Sequence, residues 1–504
     1  MKMCPLPLPL VCLMFILSVT VLEGANYYVR SGATGNHDGS DWNNAWTTIP
    51  ETLERGAMCY VADGIYPAVA LRSPVSGTQS ITIRKATTQE HGTQEGWADS
   101  YGDGQAEFPK IEIWTSYWEI DGVRRSSPTS GHGFRIVVPG DQGSAVTETG
   151  ISVRGGLATD RIDGIRVSYV EFTCGIGDFP EGRQYRLKAG YYHPYGGDNT
   201  YIGYCYFHHL IGSMQKTGQQ KGILIEHNHY EDNKSYPDGS HGDAVQLWGM
   251  NATEESNPCE NCVVRFNHFR DIDGTAPISF AWGSRNMHVY GNVLSYSEET
   301  FASSGGLIYV FKGYIGPIYA YNNTIIDGRY PADNGLAGHT SLYIADSAIP
   351  QTTDLHAYNN LWFRSPRSGV RGFLHHGSNF FGQSGFYGRI EPDSSDIVSQ
   401  NDPFTDSSRW WNLQLSGPLG PGKNLSEESW WDPRYDSSED PSGIIRGADG
   451  IWDIGAYEYA SNDNQPPVMT PIGPKSIPVG LPLQFQVNAT DPDGDPLTFS
   501  ATSE

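Results

Sequence analysis

Short alternating runs of apolar and polar residues, separated by turns, recur at a nearly constant interval between residues 190 and 360. Five of these runs end at a glycine, and the glycines are 28, 31, 34 and 30 residues apart (Gly190, Gly218, Gly249, Gly283 and Gly313). A second series of runs falls between them, and its members end at an asparagine (Asn228, Asn267, Asn292, Asn323 and Asn360). A unit of this size cannot bury its own apolar face. The pattern therefore predicts units that stack on one another into a solenoid.

The recurring asparagine predicts how the stacked units are held together. A side-chain amide carries both donors and an acceptor. Turned inward, it can hydrogen-bond the same turn in the units above and below. We therefore predict an all-β chain in which residues 26–460 form a right-handed parallel β-helix.

The two ends of this region resemble a known family. Residues 26–66 open with Tyr27, Tyr28 and Val29, continue through Trp46, and end in a strand-like run at 59–66. The segment Asp453 to Glu458 has the sequence DIGAYE. Both are similar to the terminal segments of secreted right-handed β-helix proteins of the pectate lyase superfamily, where the second is the last strand. The resemblance implies the fold, and it implies a polysaccharide lyase because many members have that activity. Residues 50–55 are expected to form a short amphipathic helix that caps the first coil.

Composition changes at both ends of the chain. Residues 1–25 contain an early lysine and a short apolar run, which predicts a secretory signal peptide and a secreted or cell-surface protein. No second long apolar run follows, so no membrane span is expected in the mature chain. Residues 461–467 are a polar, proline-rich linker, and residues 468–504 alternate like sandwich strands. They predict the start of an Ig-like or cadherin-like module, a partial β-sandwich that is too short to close, so we expect a longer natural product.

The net charge of the chain limits which binding partners are expected. With 57 acidic and 33 basic residues the formal net charge is −24, which argues against nucleic acid as a partner. The 29 tyrosines and 13 tryptophans offer rings that can pack on sugars. We predict a monomer with a polysaccharide as its substrate or ligand. A polyanionic substrate would need a local basic patch.

Candidate catalytic residues follow from the chemistry of β-elimination on a uronic-acid polysaccharide, which needs a base and a positive charge beside the substrate carboxylate. Lys188 and Lys216 each stand two residues before a repeat glycine, so we expect them to stack about 4.8 Å apart. Two such lysines would lower the pKa of at least one, as suits a base. His241 and Asp243 precede the next strand and are candidate acid or metal-binding partners. The alternatives are solvated lysines and a simple turn at residues 241–243.

Carboxylates predict possible Ca²⁺ sites, because calcium prefers several oxygen ligands. Asp232 and Asp238 lie in the acidic and histidine-rich segment 226–246. Asp491, Asp493 and Asp495 alternate in the C-terminal module, where Ca²⁺ could occupy a domain junction. A tight turn is the alternative for this second group.

Two other functions stay open. A glycoside hydrolase on the same scaffold would need two carboxylates, and Asp243 with Asp271 or Asp273 could supply them. A non-catalytic surface adhesin or carbohydrate-binding protein would need neither a base nor an acid. Loss of turnover on substitution of Lys216 or His241, with binding retained, would separate an enzyme from an adhesin.

Overall fold

The computed structural model describes most of the chain. The described residues are 24–138, 148–154, 161–174, 187–210, 212–233, 242–249, 258–297, 306–327, 342–345, 348–365, 368–384, 392–408, 413–459, 467–469, 487–491 and 497. Of residues 148, 187 and 188 the backbone alone is described. The elements within these ranges are β-strands and two short 3₁₀ turns, Asp99–Tyr101 and Leu425–Glu427.

Nearly all strands belong to three long sheets, here called A, B and C. Sheet A has a main path of twelve strands: Asn26–Val29, Met58–Val61, Ile81–Lys85, Trp118–Asp121, Ile165–Ser168, Tyr201–Gly203, Leu224–Glu226, Cys259–Arg265, Ser284–Tyr290, Ile318–Tyr321, Leu355–Tyr358 and His375–Gly377. Its side branches are Gly197–Asp198, Gln220–Lys221, Gly313–Ile315 and Ala348–Pro350.

Sheet B contains Gly64–Ile65, Ala106–Phe108, Phe134–Val138, Val170–Cys174, Tyr206–His208, His229–Asn233, His268–Ile272, Val293–Ser295, Thr324–Ile326, Leu361–Phe363, Phe380–Gly382 and Ile397–Ser399. Sheet C contains Val69–Leu71, Ile111–Ile113, Glu148–Val153, Leu187–His193, Gln215–Gly218, Val245–Trp248, Ile278–Ala281, Ile308–Phe311, Leu342–Ile344 and Val370–Arg371.

The chain visits the sheets in the order A, B, C, and each strand pairs in parallel with the strand one coil later. This is the right-handed parallel β-helix that the repeat predicts, and that prediction is confirmed. Parallel sheets are buried on their inner face, and alternate residues of every strand point into one continuous core. In sheet B, the inward rings of Phe172, Phe207, Tyr230 and Phe269 stack at 4.3, 4.9 and 5.0 Å between centroids, close to the coil spacing.

The asparagine ladder is also confirmed. Asn228, Asn267, Asn292, Asn323 and Asn360 are buried at the corner between sheets A and B. The Nδ2 of each of the first four donates to the Oδ1 of the next asparagine at 3.0–3.1 Å, and each of these Oδ1 atoms also accepts the preceding asparagine's backbone N–H. The residue before each asparagine has a positive φ, which turns the chain sharply from one sheet to the next (His227, Phe266, Gly291, Asn322 and Asn359).

The glycine series is in register only at its C-terminal end. Ala281 pairs with Phe311, so Gly283 and Gly313, two residues further on, share a turn in which both have positive φ. Gly218 pairs with Trp248, however, and Gly190 lies opposite Met214. Loops of unequal length change the number of residues per coil. Residues that are equally spaced along the chain therefore need not pair with one another in the sheet.

The predicted N-terminal helix is wrong. Residues 50–55 form no helix, and the segment around Ile49 and Leu53 lies extended over the first strand of sheet C. Arg72 N donates to Glu51 O at 2.7 Å, and Leu53 N donates to Ser73 Oγ at 2.7 Å. An extended segment serves as a cap here because it both covers apolar surface and pairs with edge groups.

The segment Asp453 to Glu458 is not a strand of the β-helix, so that expectation is also wrong. It crosses the outside of the corner between sheets A and B, where Asn322 Nδ2 donates to Asp453 O and to Gly455 O at 2.9 and 3.0 Å. Its apolar residues pack on the outer face of sheet B, together with Phe404, Leu413 and Leu415.

The rest of the C-terminal segment covers the outer face of sheet A. Leu425, Trp430, Trp431, Tyr435 and Trp452 pack against a row of outward side chains of sheet A (Val263, Tyr290, Tyr319 and Tyr321). Within the described ranges this tail thus covers the later coils of sheets A and B, and it does not pack on sheet C.

Little is described beyond residue 460. Val468–Met469 pairs antiparallel with Ala489–Thr490. The Ig-like module, the linker and the signal peptide stay predictions, and residues 1–23 and 460–466 lie outside the described residues. None of the described segments forms a helix long and apolar enough to span a membrane.

Candidate functional site

The outward face of sheet C carries one continuous row of side chains. Because Tyr191, Leu247, Phe280 and Val310 point into the core, their neighbours point outward. The pairing aligns these outward residues in a single line across the coils: Tyr192, Lys216, Gln246, Ser279, Tyr309, Tyr343 and Arg371. At about 4.8 Å per coil the row is roughly 29 Å long. Its two middle residues, Gln246 and Ser279, are buried, so the accessible side chains lie towards its ends.

Aromatic rings and cations lie towards the two ends of this row, on either side of Gln246 and Ser279. Tyr309 and Tyr343 stack with 5.4 Å between ring centroids, and the Arg371 guanidinium lies 4.8 Å from the Tyr343 centroid. At the other end, Lys216 Nζ lies 5.4 Å from the centroid of Trp248. These rings are half-exposed, and both cations are half-buried. Flat apolar surfaces beside positive charges can hold an anionic sugar chain.

Asp243 is the most perturbed carboxyl group of this face. It precedes the strand Val245–Trp248 and is fully buried. Its Oδ1 accepts from Ala276 N at 3.2 Å, and its Oδ2 accepts from Gln246 Nε2 at 3.0 Å. Burial raises the pKa of Asp243 to about 7, although the Ala276 N–H, the Ser279 hydroxyl and the Lys216 charge act in the opposite direction.

The charge of Lys216 thus acts on Asp243, and the assignment of both residues to one catalytic site stays a prediction. Asp243 is fully buried, and the residues of the outward row that contact or influence it are Gln246, Ser279 and Lys216. An ionised Asp243 and the face of Trp248 both favour the charged form of Lys216.

The expected stacking of Lys188 on Lys216 is wrong. Tyr192 is the residue that pairs with Lys216, and Lys188 lies four positions earlier in the same strand. Its neighbours Leu187 and Ala189 pair with consecutive residues, so Lys188 stands at a register shift of the sheet. The argument that Lys188 lowers the pKa of Lys216 therefore no longer applies.

Several predicted site residues lie outside the described residues: His241, Asp238, Asp493 and Asp495. The side chain of Lys188 is likewise not described. Asp491 is described, but Asp493 and Asp495, its predicted partners in the Ca²⁺ site, are not. The catalytic role of His241 and the Ca²⁺ site in the C-terminal module stay predictions.

Asp232 lies on sheet B, away from the row of sheet C. Its carboxylate is 3.4 Å from His209 Nε2, and its pKa is raised by burial and by neighbouring Glu231. Glu231 itself is engaged by Arg270 at 3.0 Å and by Tyr206 Oη at 3.0 Å. In the described part of the chain, no three acidic, histidine or cysteine side chains form a group suited to a metal ion. The described residues around Asp232 do not fit a calcium cage, so a Ca²⁺ site there would need ligands from outside the described residues, such as Asp238.

The carboxylate pair of the hydrolase alternative gains no support from the hydrogen bonds. Asp271 is buried on sheet B and accepts from Ser297 N and Ser297 Oγ at 2.7 and 2.6 Å. Asp273 directly follows the same strand of sheet B, and the pairing of Asp243 with Asp271 or Asp273 stays a prediction.

The sequence analysis missed the aromatic row and Arg371. Tyr309 and Tyr343 each alternate with core residues in a strand, which is the signal that could have placed them on the outer face. That Tyr309 and Tyr343 lie in one line across the coils could not be predicted without the register of the strands in sheet C.

The comparisons with known proteins add little to this picture. No protein-family model matches the chain, and no curated protein matches it. Among solved structures, it is similar to the crystal structure of pectate lyase Pel9A. The identity is 10%, the TM-score is 0.38, and the match covers 86% of this chain and 96% of that chain. The chain's own three parallel sheets define its class: it is a right-handed parallel β-helix protein.

Proposed function

We propose that this protein is a secreted polysaccharide lyase, which cleaves a uronic-acid-containing polysaccharide on the outward face of sheet C. The observation that carries the proposal is the row itself. Lys216 lies in line with Tyr309, Tyr343 and Arg371 and next to a buried carboxyl group with a pKa of about 7. Such a row offers a linear polyanion a local basic surface, despite the net charge of −24.

The reaction requires three events at one sugar unit. A base removes the proton at C5, the electron pair of that C–H bond forms the C4–C5 double bond, and the C4–O bond breaks. The departing oxygen takes a proton, and no water is consumed. A positive charge beside the uronate carboxylate stabilises the charge that develops when the proton leaves.

Lys216 could serve either as the base or as that positive charge. As a base it must be uncharged, whereas both Trp248 and ionised Asp243 favour its charged form. The contacts therefore favour Lys216 as the cation that holds the substrate carboxylate. Lys188 and His241 stay candidates for the base.

The test is absorbance near 235 nm during incubation with a panel of uronic-acid polysaccharides, with and without added Ca²⁺. A rise shows an unsaturated product and hence a lyase. New reducing ends without that absorbance would replace the proposal with a hydrolase. Binding with neither signal would replace it with an adhesin.

Lys216→Gln should lower kcat/KM about 100-fold or more, because removal of one group that stabilises developing charge has an effect of this size. Lys221→Gln is the matched control, since Lys221 is an exposed lysine on a different sheet. If Lys216 is the cation, the wild-type rate should not increase through the pKa of a lysine. A rate that rises with pH through such a pKa, and loses that dependence in Lys216→Gln, would assign it as the base instead.

A further inference from the structure

A loop of unusual length crosses the corner between sheets A and B. At most coils this corner is turned in one or two residues, as at Tyr169 between its flanking strands, and residues 86–105 form one other long connection there. Between the strands Trp118–Asp121 and Phe134–Val138, however, the connection is formed by residues 122–133. The loop extends over later coils, so that Arg125 Nη1 donates to His227 O at 2.8 Å. His227 follows the sheet A strand that lies three coils further on, a height of roughly 14 Å.

The loop and the C-terminal segment border a cavity of about 170 Å³ that is open to solvent on one side. Arg125 and Pro128 line it from the loop, His227 and His268 from the corner of the β-helix, and Pro441 and Tyr457 from the C-terminal segment. A cavity of about 150 Å³ is large enough to bind benzene. This one therefore has room for a single six-membered ring.

Arg125 brings a positive charge to this cavity. Its guanidinium lies 5.1 Å from the centroid of the Tyr204 ring. Among the described residues no carboxylate lies within ion-pair distance of it, and its hydrogen bond to His227 O is made through Nη1 alone. Nε and Nη2 are therefore available on one edge of the guanidinium. Two parallel N–H donors on that edge match the two oxygens of a carboxylate.

Arg265, at the same corner, differs from Arg125 because it is paired with a carboxylate. Its Nε and Nη2 are 2.7 and 2.6 Å from Glu226 Oε2. Burial lowers the pKa of Arg265, but Tyr290 and Glu226 outweigh that effect and raise it. Burial lowers the pKa of Arg125, with no carboxylate to reverse the effect. Arg125 nonetheless stays charged, as arginines in proteins do.

The other titratable groups at the cavity neither neutralise Arg125 nor add to its charge. Burial lowers the pKa of His227 to about 4 and that of His268 to about 3, so both are neutral at neutral pH. His268 Nε2 and Tyr457 Oη share a hydrogen bond of 3.0 Å. The nearby Asp440 is buried, and its oxygens accept the N–H groups of Ser442, Ile444 and Glu458.

We propose that this cavity binds one hexuronate unit, with its carboxylate on the Nε and Nη2 edge of Arg125 and its ring between Pro128, Pro441 and the histidines. The site lies at the corner between sheets A and B, on a different part of the molecule from the row of sheet C. It is a binding site for the same class of sugar as the proposed function. A monosaccharide has no glycosidic bond to be broken at C4, so binding is measured independently of turnover.

The experiment is calorimetric titration of the wild-type protein with galacturonate and glucuronate, compared with galactose, glucose and acetate. We expect saturable one-to-one binding of at least one uronate with a Kd of about 1 mM or below, and no binding of the neutral sugars. Absence of saturable uronate binding would overturn the proposal. Binding of acetate as tight as that of the uronates would overturn the assignment to a sugar.

Arg125→Gln should weaken uronate binding at least about tenfold. Arg72→Gln, which removes an exposed arginine on an early coil, should leave it unchanged. Ser442→Trp tests the same cavity without touching Arg125, since Ser442 is exposed at its rim, and it should block binding. Thermal unfolding would show that each variant is folded. If both folded variants, Arg125→Gln and Ser442→Trp, bind uronate like the wild type, the site is elsewhere and the proposal is wrong.

Discussion

Replacement of Asn292 by alanine tests the asparagine ladder at its centre. The Asn292 side chain makes five hydrogen bonds. Its Oδ1 accepts from Asn267 N and Asn267 Nδ2 at 3.0 Å each, and its Nδ2 donates to Val264 O, Tyr290 O and Asn323 Oδ1 at 2.9, 3.1 and 3.0 Å. Because Asn292 is fully buried, water cannot take over these bonds without opening the corner.

The cost can be worked from what each partner loses. Asn267 Nδ2 keeps Ile225 O and Arg265 O, and Tyr290 O keeps Phe266 N. The backbone N–H of Asn267 has no other acceptor among these contacts. One buried donor without a partner costs about 1–3 kcal/mol, and each of the other lost bonds contributes about 1 kcal/mol or less after partial relaxation. We therefore expect Asn292→Ala to lower the free energy of unfolding by about 3 kcal/mol.

Denaturant unfolding followed by circular dichroism measures this loss, and hydrogen exchange locates it. Each coil of a solenoid contacts only its neighbours, so exchange should rise in residues 259–295 and stay unchanged in residues 58–85. Asn401→Ala is the control, because Asn401 is exposed and its substitution should change stability by less than about 0.5 kcal/mol. A loss for Asn292→Ala no larger than that of the control would refute the reasoning that the ladder stabilises the fold.

Two further predictions concern buried acids. The folded pKa of Asp243 is raised to about 7 from an ordinary value of 3.8, so the stabilisation it contributes is fully present below about pH 4 and is lost as the pH rises through about 7. Asp243→Asn should reduce the pH dependence of the free energy of unfolding between about pH 4 and 7 by at most about 1.4 kcal/mol per pH unit. Thermal unfolding across pH 4–8 measures this dependence. An unchanged pH dependence would mean that Asp243 ionises normally. Asp436 Oδ1 accepts from His288 Nδ1 at 2.6 Å and from Tyr321 Oη at 2.7 Å, and so fastens the C-terminal segment to sheet A. Asp436→Ala should lower the free energy of unfolding by about 3 kcal/mol and speed limited proteolysis within residues 425–459. Asp449→Ala is the control, because Asp449 is exposed, and it should have neither effect. Equal cleavage of the two variants would contradict this role of Asp436.

Part of the site could be predicted from the sequence because it depends on local patterns. The sequence makes Lys216 and Asp243 candidates, and in the structure the charge of Lys216 acts on Asp243; their catalytic role stays a prediction. Lys188 was paired with the wrong neighbour, because the spacing of glycines does not reveal the length of each coil. Arg125 was missed because its partner His227 is 102 residues away in the chain.

The sequence by itself determined the architecture. Residues that repeat once per coil, such as Asn292 and Asn323, form the same contact with the next coil, so the repeat and its ladder are visible without coordinates. Other features depend on the tertiary structure: the register of sheet C, the cap around Leu53, the path of residues 453–458 across the outside, and the open cavity at Arg125. The physical reason is that a repeated contact is encoded in every repeat, whereas these features depend on loop lengths and on single contacts between distant segments.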